Sequence, residues 1–186
     1  MKKKLTLKLL LLLTIAFGSS ILQGQNYPKS SKNQKTIIFF ASEITPNFEE
    51  IREITHLSYF SAASDFMSLN HHKILQNNSI VAYENVDTPN IIESCKNNEA
   101  DYAVVSLIKF FKIGIGKYVL SSQVVVKMKL YDKSGKLMCE SNYDTFRKNA
   151  RILGSAENSI KLGTKGALKL IKKNLRKNNV IDLPIF

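Results

Sequence analysis

The sequence has no tryptophan and only two cysteines, Cys95 and Cys139, among its 186 residues. Neither cysteine follows the apolar N-terminal run, so no lipid anchor of the bacterial lipoprotein type is predicted. The sequence also lacks the G-x-S-x-G motif of a nucleophile elbow, and its histidines do not show metal-ligand spacing. We therefore predict no catalytic residues, no metal site and no cofactor.

An apolar run long enough to cross a membrane is also missing. The run at residues 5–17 is shorter than the roughly 20 apolar residues that a spanning helix needs. It follows the positive start Met1-Lys2-Lys3-Lys4 and precedes small residues, which is the organisation of a secretory signal peptide. We expect residues 1–24 to be removed by cleavage between Gly18 and Gln25, and we predict a periplasmic or secreted protein.

Acidic residues are scarce relative to basic ones. The chain has 27 lysines and arginines against 15 aspartates and glutamates, a net charge of +12. Removal of residues 1–24 takes away four lysines and no acids, which leaves 23 basic against 15 acidic residues and a net charge of +8. Such a protein is expected to meet anionic partners of the cell envelope. Export itself argues against nucleic acid as a partner.

The order of apolar patterns predicts the fold class. Residues 25–35 are polar and aperiodic, which predicts a flexible leader before a single globular domain at 36–186. The pattern then predicts strands at 36–42, 79–84, 102–111, 123–131 and 136–143, and helices at 47–69, 88–98 and 156–177. This is an α/β (α+β) fold of order β-α-β-α-β-β-β-α, with a single mixed sheet of about five strands that ends in an antiparallel meander and is flanked by helices.

For the strand at 123–131 the sequence also predicts which side chains are buried. Its apolar side chains alternate with polar or charged ones, which is typical of a half-buried strand. We expect the inward set to pack against helices; it comprises Val124, Val126, Met128 and Leu130. We expect Lys127 and Lys129 on the outward set to be exposed. Helix caps are predicted at Thr88 and Ser155.

Two short motifs resemble a known group of domains. A helix is followed by EADYAVV at residues 99–105, and a later strand ends in YDKSG at residues 131–135. These stretches resemble the α/β domain shared by the curli-secretion component CsgG, the penicillin-binding-protein activator LpoB and the N-terminal domain of TolB. Only Asp101 and the turn from Asp132 to Gly135 match residue by residue. The resemblance implies structural roles for these residues and an accessory envelope protein rather than an enzyme or a channel.

The last predicted helix has the strongest pattern outside the core. Its apolar stripe lies opposite a basic arc, because these positions are separated by half a turn at 100° per residue. The arc comprises Lys161, Lys165, Lys169, Lys172, Lys173, Arg176 and Lys177. We expect Lys165, Lys169, Lys172 and Arg176 to face solvent. Adjacent like charges repel, so an anionic partner would relieve a cost. The candidates are an envelope protein, a glycan or an anionic membrane surface; the alternative is a solvated helix face without a ligand.

The leading hypothesis is an exported, non-catalytic accessory or binding protein of the bacterial envelope. One alternative is a small exported enzyme that uses the carboxylates of Glu49, Glu50 and Glu53 or the loop histidines His71 and His72. Another is a domain that remains tethered to the inner membrane. Cys95 and Cys139 are both predicted to face inward, either as buried thiols or as a disulfide if their Cα atoms lie about 4.4–6.8 Å apart. The oligomeric state is not predicted.

Overall fold

The computed structural model describes residues 34–47, 49–112, 120–148 and 155–177. Its strands are β1 (Thr36–Ala41), β2 (Glu43–Thr45), β3 (Lys73–Ile80), β4 (Tyr102–Lys112), β5 (Leu120–Asp132) and β6 (Leu137–Asp144). Its helices are α1 (Glu49–Leu69), α2 (Thr88–Asn97), α3 (Thr145–Lys148) and α4 (Ala156–Lys177). The predicted signal peptide, its cleavage range and nearly all of the leader lie outside the described residues. Across the described ranges, every helix is too short or too polar to cross a membrane.

The sheet is mixed, as the sequence predicts. Its strands follow the order β3-β1-β4-β5-β6, and the short β2 pairs with β4 beyond the end of β1. β1 pairs in parallel with both β3 and β4, whereas β4, β5 and β6 form an antiparallel meander. The fold class is therefore confirmed. The sheet has six strands instead of about five, because β2 is too short to produce a recognisable apolar period.

The second strand of the prediction is placed wrongly. The sequence predicts a strand at 79–84, whereas β3 covers Lys73–Ile80. β3 is an edge strand with β1 as its one neighbour in the described sheet, so most of its side chains face solvent. Polar residues such as Gln76 and Asn78 are therefore tolerated, and the apolar signal that marks a buried strand is absent.

One face of the sheet is covered by the two long helices α1 and α4. The four side chains of β5 that were predicted to face inward are fully buried there, which confirms the predicted alternation; they are Val124, Val126, Met128 and Leu130. The apolar stripe of α4 packs on the same face, and its members are at most 4% exposed; they are Ile160, Ala167, Leu168, Ile171 and Leu175. Burial of each large side chain stabilises the fold by about 1.5–3 kcal/mol. The Ser155 hydroxyl accepts a hydrogen bond from the amide of Asn158, so the predicted cap of α4 is also confirmed.

The other face is covered by less structure. The ten-residue α2 and the segment around Tyr83 pack on the alternate side chains of β1 and β4, for example Ile38 and Val105. Helix α2 starts at Thr88, but its N-cap is Asp87, and no side chain caps it, so the predicted Thr88 cap is wrong. The Asp87 backbone already occupies the capping position, which makes Thr88 the first helical residue.

Candidate functional site

The parallel strands define one end of the molecule, which we call the amino edge. β1, β3 and β4 all begin there, since Thr36 pairs with Lys73 and Ile37 pairs with Tyr102. β5 runs in the opposite direction, so its last residue, Asp132, pairs with Tyr102 at the same edge. The amino edge therefore also holds the β5–β6 turn.

Helix α4 ends at the amino edge. It runs parallel to α1, because Lys165 contacts Asp65 and, two turns later, Lys172 contacts Asn70 just beyond α1. The positive charge of Lys172 also acts on His72, next to the first residue of β3. The basic last turns of α4 therefore lie beside the starts of β1 and β3.

Three cations of the predicted basic arc are held by the chain itself. Lys161 pairs with Glu157 at 2.6 Å, and Lys165 pairs with Asp65 at 3.0 Å. The Lys172 ammonium donates a hydrogen bond to the side-chain oxygen of Asn70 at 2.7 Å. Burial and the neighbouring Arg176 lower the pKa of Lys172. Lys165 and Lys172 are half-buried rather than fully exposed, which corrects the expectation that both would face solvent.

The other four cations of the arc face solvent: Lys169, Lys173, Arg176 and Lys177. No acidic side chain within the described ranges forms an ion pair with them. Arg176 and Lys177 occupy the last turn of α4, where the carbonyl end of the helix dipole stabilises positive charge. The sequence prediction of a basic surface on this helix thus applies to its C-terminal half.

Lysines from other elements extend this surface across the amino edge. Lys73 starts β3, Lys96 lies near the end of α2, and Lys133 and Lys136 flank the β5–β6 turn; all four are exposed. Together they form what we call the basic end, which comprises Lys73, Lys96, Lys133, Lys136, Lys172, Lys173, Arg176 and Lys177. Sequence reasoning found only its α4 part, because the other lysines are separated along the chain and meet only through strand register.

Two of the acidic residues at this edge are engaged internally. Asp101 accepts hydrogen bonds from the Lys35 ammonium at 3.1 Å and from the backbone amide of Thr36 at 3.0 Å. Asp132 accepts hydrogen bonds from Ser134 and from the backbone amide of Lys136. Burial acts to raise the pKa of Asp132, but these hydrogen bonds outweigh it and hold the pKa below its usual value. Asp101 and Asp132 thus stabilise the fold, and Asp132 also attracts the neighbouring Lys136. The exposed Glu99, which precedes β4, adds a further negative charge at this edge, where the cations still outnumber the acids.

The histidines are arranged differently from the prediction. His71 is exposed, whereas His72 is buried, and its Nδ1 accepts a hydrogen bond from the backbone amide of Lys35. His72 is therefore not a solvated loop residue. The carboxylates of Glu49 and Glu50 lie at the opposite end of the 21-residue α1, about 30 Å away along the helix. The two groups of the enzyme hypothesis are not brought together, and the described residues hold no cluster of three or more metal-ligating side chains.

The two cysteines are free thiols in this structure. Cys95 is buried with α2 on one face of the sheet, while Cys139 packs against the helix-covered face. The disulfide that the sequence left open is not formed, since the sheet lies between the two side chains. Burial raises the pKa of Cys139 to about 11 and also raises that of Cys95, so neither thiol is activated.

Lys127 and Lys129 are half-buried, which corrects their predicted exposure. The Lys129 ammonium lies 4.4 Å from the ring centroid of Tyr83 and donates a hydrogen bond to the Tyr83 carbonyl. The Lys127 ammonium lies 5.8 Å from the same centroid, and the Tyr83 hydroxyl donates to Glu140 at 2.7 Å. No local pattern indicates this cluster, because Tyr83 comes from a distant segment of the chain. Its cations are held internally and are not part of the basic end.

Comparison with known proteins locates similar folds. No protein-family model matches the sequence, and no curated protein matches it. Among solved structures, the chain is similar to the PelC dodecamer from Paraburkholderia phytofirmans, with 11% identity over 73% of this chain and 86% of that chain and a TM-score of 0.46. It is also similar to a putative neuraminyllactose-binding hemagglutinin homolog from Helicobacter pylori, with 13% identity, coverages of 88% and 92% and a TM-score of 0.44.

A third similar structure is the LpoB C-terminal domain from Salmonella enterica. The identity is 10% over 68% of this chain and 90% of that chain, with a TM-score of 0.38. LpoB belongs to the group that the motifs at Asp101 and Asp132 resemble. The predicted group is therefore represented among the structural neighbours.

Proposed function

We propose that this protein is an exported, non-catalytic accessory protein of the bacterial cell envelope that binds an anionic partner through the C-terminal half of α4. The observation that carries the proposal is that only some cations of the basic arc are paired within the chain. Its cations near α1 are paired within the chain, whereas Lys169, Lys173, Arg176 and Lys177 face solvent. A purely solvated helix face would not require this concentration of one sign of charge.

Electrostatics favours a partner with several negative charges. The four cations follow one another at steps of one to four residues, so they repel each other along the helix. A partner that approaches all four gains attraction and removes this repulsion at the same time. The interaction is solvent-exposed, and the Debye length falls from about 30 Å at 0.01 M salt to about 8 Å at physiological ionic strength. Binding should therefore weaken steeply as salt is added.

The test is adsorption to the total envelope fraction, which contains both membranes and cell-wall sacculi. We expect the quadruple variant Lys169→Gln, Lys173→Gln, Arg176→Gln and Lys177→Gln to lose most of the salt-sensitive adsorption. Its thermal stability should change little, because the apolar stripe of α4 is untouched. The measurement is the bound fraction after sedimentation at low and at physiological salt.

A matched control uses smaller variants with equal changes in net charge. Lys173→Gln with Lys177→Gln removes two positive charges from α4, and Arg52→Gln with Lys109→Gln removes two from the opposite end of the molecule. Only the first pair should weaken adsorption substantially. Equal losses of adsorption in the two pairs would show that net charge alone drives adsorption. Unchanged adsorption in the quadruple variant would show that this face of α4 is solvated and binds no partner.

A further inference from the structure

We infer that the anionic partner of the basic end is a phospholipid surface, on which the molecule stands with its amino edge against the lipid head groups. This inference rests on the proposed function and deepens it, since it names the class of partner. It depends on two features of the amino edge: the breadth of the cationic surface and the exposed leucines beside it.

The basic end is broad and is not a pocket. From Lys73 at the start of β3 to Lys133 after β5, the surface extends across three strand spacings, about 14 Å. α4 and α2 add cations on opposite faces of the sheet. Small ligands are usually bound in concave clefts, whereas this surface lies along the ends of the strands and helices. An extended plane of phosphates can approach all of these cations together.

Exposed leucines lie at the same edge. Leu69 ends α1 and is 80% exposed, the largest value among the exposed large apolar side chains of the described residues. Leu137 starts β6, next to the β5–β6 turn, and is 45% exposed. A hydrated glycan or a soluble polyanion has no apolar region in which such side chains could be buried. A bilayer accepts both, because cations meet the head groups while leucines enter the boundary with the acyl chains.

Single-tryptophan reporters provide the experiment, since the native sequence has no tryptophan. The exported protein carrying Leu69→Trp is compared with the same protein carrying Leu57→Trp, a control position that is 63% exposed near the middle of α1. Both are mixed with vesicles of phosphatidylethanolamine and phosphatidylglycerol, and with vesicles of phosphatidylcholine alone. We expect a blue shift of the Leu69→Trp emission only with the anionic vesicles, reversed by high salt, and no shift for Leu57→Trp.

A second measurement tests the cations outside α4. A cation near an anionic bilayer contributes about a fivefold factor in binding. Lys133→Gln with Lys136→Gln should thus lower vesicle affinity on the order of 25-fold, whereas the Arg52→Gln and Lys109→Gln pair should change it far less. Because Lys133 and Lys136 are exposed and flank a turn, the turn variant is expected to fold.

The outcomes separate this inference from the proposed function. If neither reporter shifts, or both shift equally, while the quadruple α4 variant still loses adsorption to the envelope fraction, the lipid inference is wrong and the partner is a glycan or an envelope protein. If the quadruple variant also adsorbs normally, the proposed function fails as well. The inference that the amino edge lies against the head groups is supported by two results together: a shift confined to Leu69→Trp, and a loss of vesicle affinity when Lys133→Gln and Lys136→Gln are combined.

Discussion

The two ends of the sheet differ in the charges that the long helices place there. At the carboxyl end of β1, Glu49 and Glu50 occupy the first turn of α1, where the amide end of the helix dipole stabilises negative charge. At the amino edge, Arg176 and Lys177 occupy the last turn of α4, where positive charge is stabilised. Because α1 and α4 run parallel, the acidic first turn of α1, which we call the acidic end, and the basic last turn of α4 lie at opposite ends of the sheet.

Helix dipoles account for the acidic end but not for the whole basic end. Lys73 belongs to a strand, and Lys133 and Lys136 belong to a turn, so no helix end stabilises them. Their positive charge adds to the repulsion at the amino edge. This excess of positive charge is therefore the part of the charge distribution that helix dipoles do not explain.

Removal of Asp101 should have the largest effect on stability. This carboxylate lies at the basic end and holds both the Lys35 ammonium and the amide of Thr36. Asp101→Ala leaves that amide without its acceptor, and hydrogen bonds to charged groups contribute about 1.5–3 kcal/mol each. We expect the free energy of unfolding, measured with urea, to fall by about 2 kcal/mol.

The control for this variant is Glu93→Ala, which removes the same charge from an exposed position on α2. It should change stability by less than about 0.5 kcal/mol, as is usual for surface substitutions. Similar losses in both variants would mean that Asp101 acts only through long-range attraction to the basic end, and not through its two hydrogen bonds.

Local patterns in the sequence were sufficient for the elements that bury one clear face. α4 has the predicted bounds, cap and apolar stripe because its period continues for six turns. The β5–β6 hairpin was likewise predicted from alternation and from the Asp132–Gly135 turn. β3 was missed because an edge strand buries little, and its side chains therefore show no such period.

The candidate site was predictable only where it lies within one element. The cations of α4 share a helix face, so spacing reveals them. Lys73, Lys96 and Lys133 are brought to the same edge by parallel pairing and register, which the sequence does not express locally. The half-burial of Lys127 and Lys129 depends on Tyr83, which is more than 40 residues away. The burial of His72 similarly depends on its contact with the start of β1.

The next prediction concerns the pH dependence of the amino edge. Burial lowers the pKa of His72 below its usual 6.5, and the positive charges of His71, Lys172 and Lys35 lower it further, while Asp101 opposes them. The hydrogen bond from Lys35 also requires an unprotonated Nδ1. Above pH 6.5 the contribution of neutral His72 to stability is complete, because this side chain is neutral in both the folded and the unfolded chain. As the pH falls below 6.5, the unfolded chain binds the proton first and stability is lost.

We therefore expect His72→Gln, which keeps an acceptor but cannot titrate, to lose less stability than the native chain between about pH 7 and pH 5. His71→Asn serves as the control, because this side chain is exposed and asparagine tolerates its left-handed backbone at φ 60°. The measurement is urea unfolding across this range. A pH profile for His72→Gln that coincides with the native one would exclude His72 as the origin of the stability loss at low pH.

The smallest effect is expected from the acidic end. Glu49→Gln with Glu50→Gln and Arg176→Gln with Lys177→Gln each remove two charges that a helix dipole stabilises. Both pairs should therefore lower the free energy of unfolding by similar amounts, a few tenths of a kcal/mol per residue. Their effects on phosphatidylglycerol vesicles should differ: less than about twofold for the acidic pair and about 25-fold for the basic pair. If the acidic pair changed vesicle binding as strongly as the basic pair, net charge would control adsorption, and the difference between the ends would have no bearing on function.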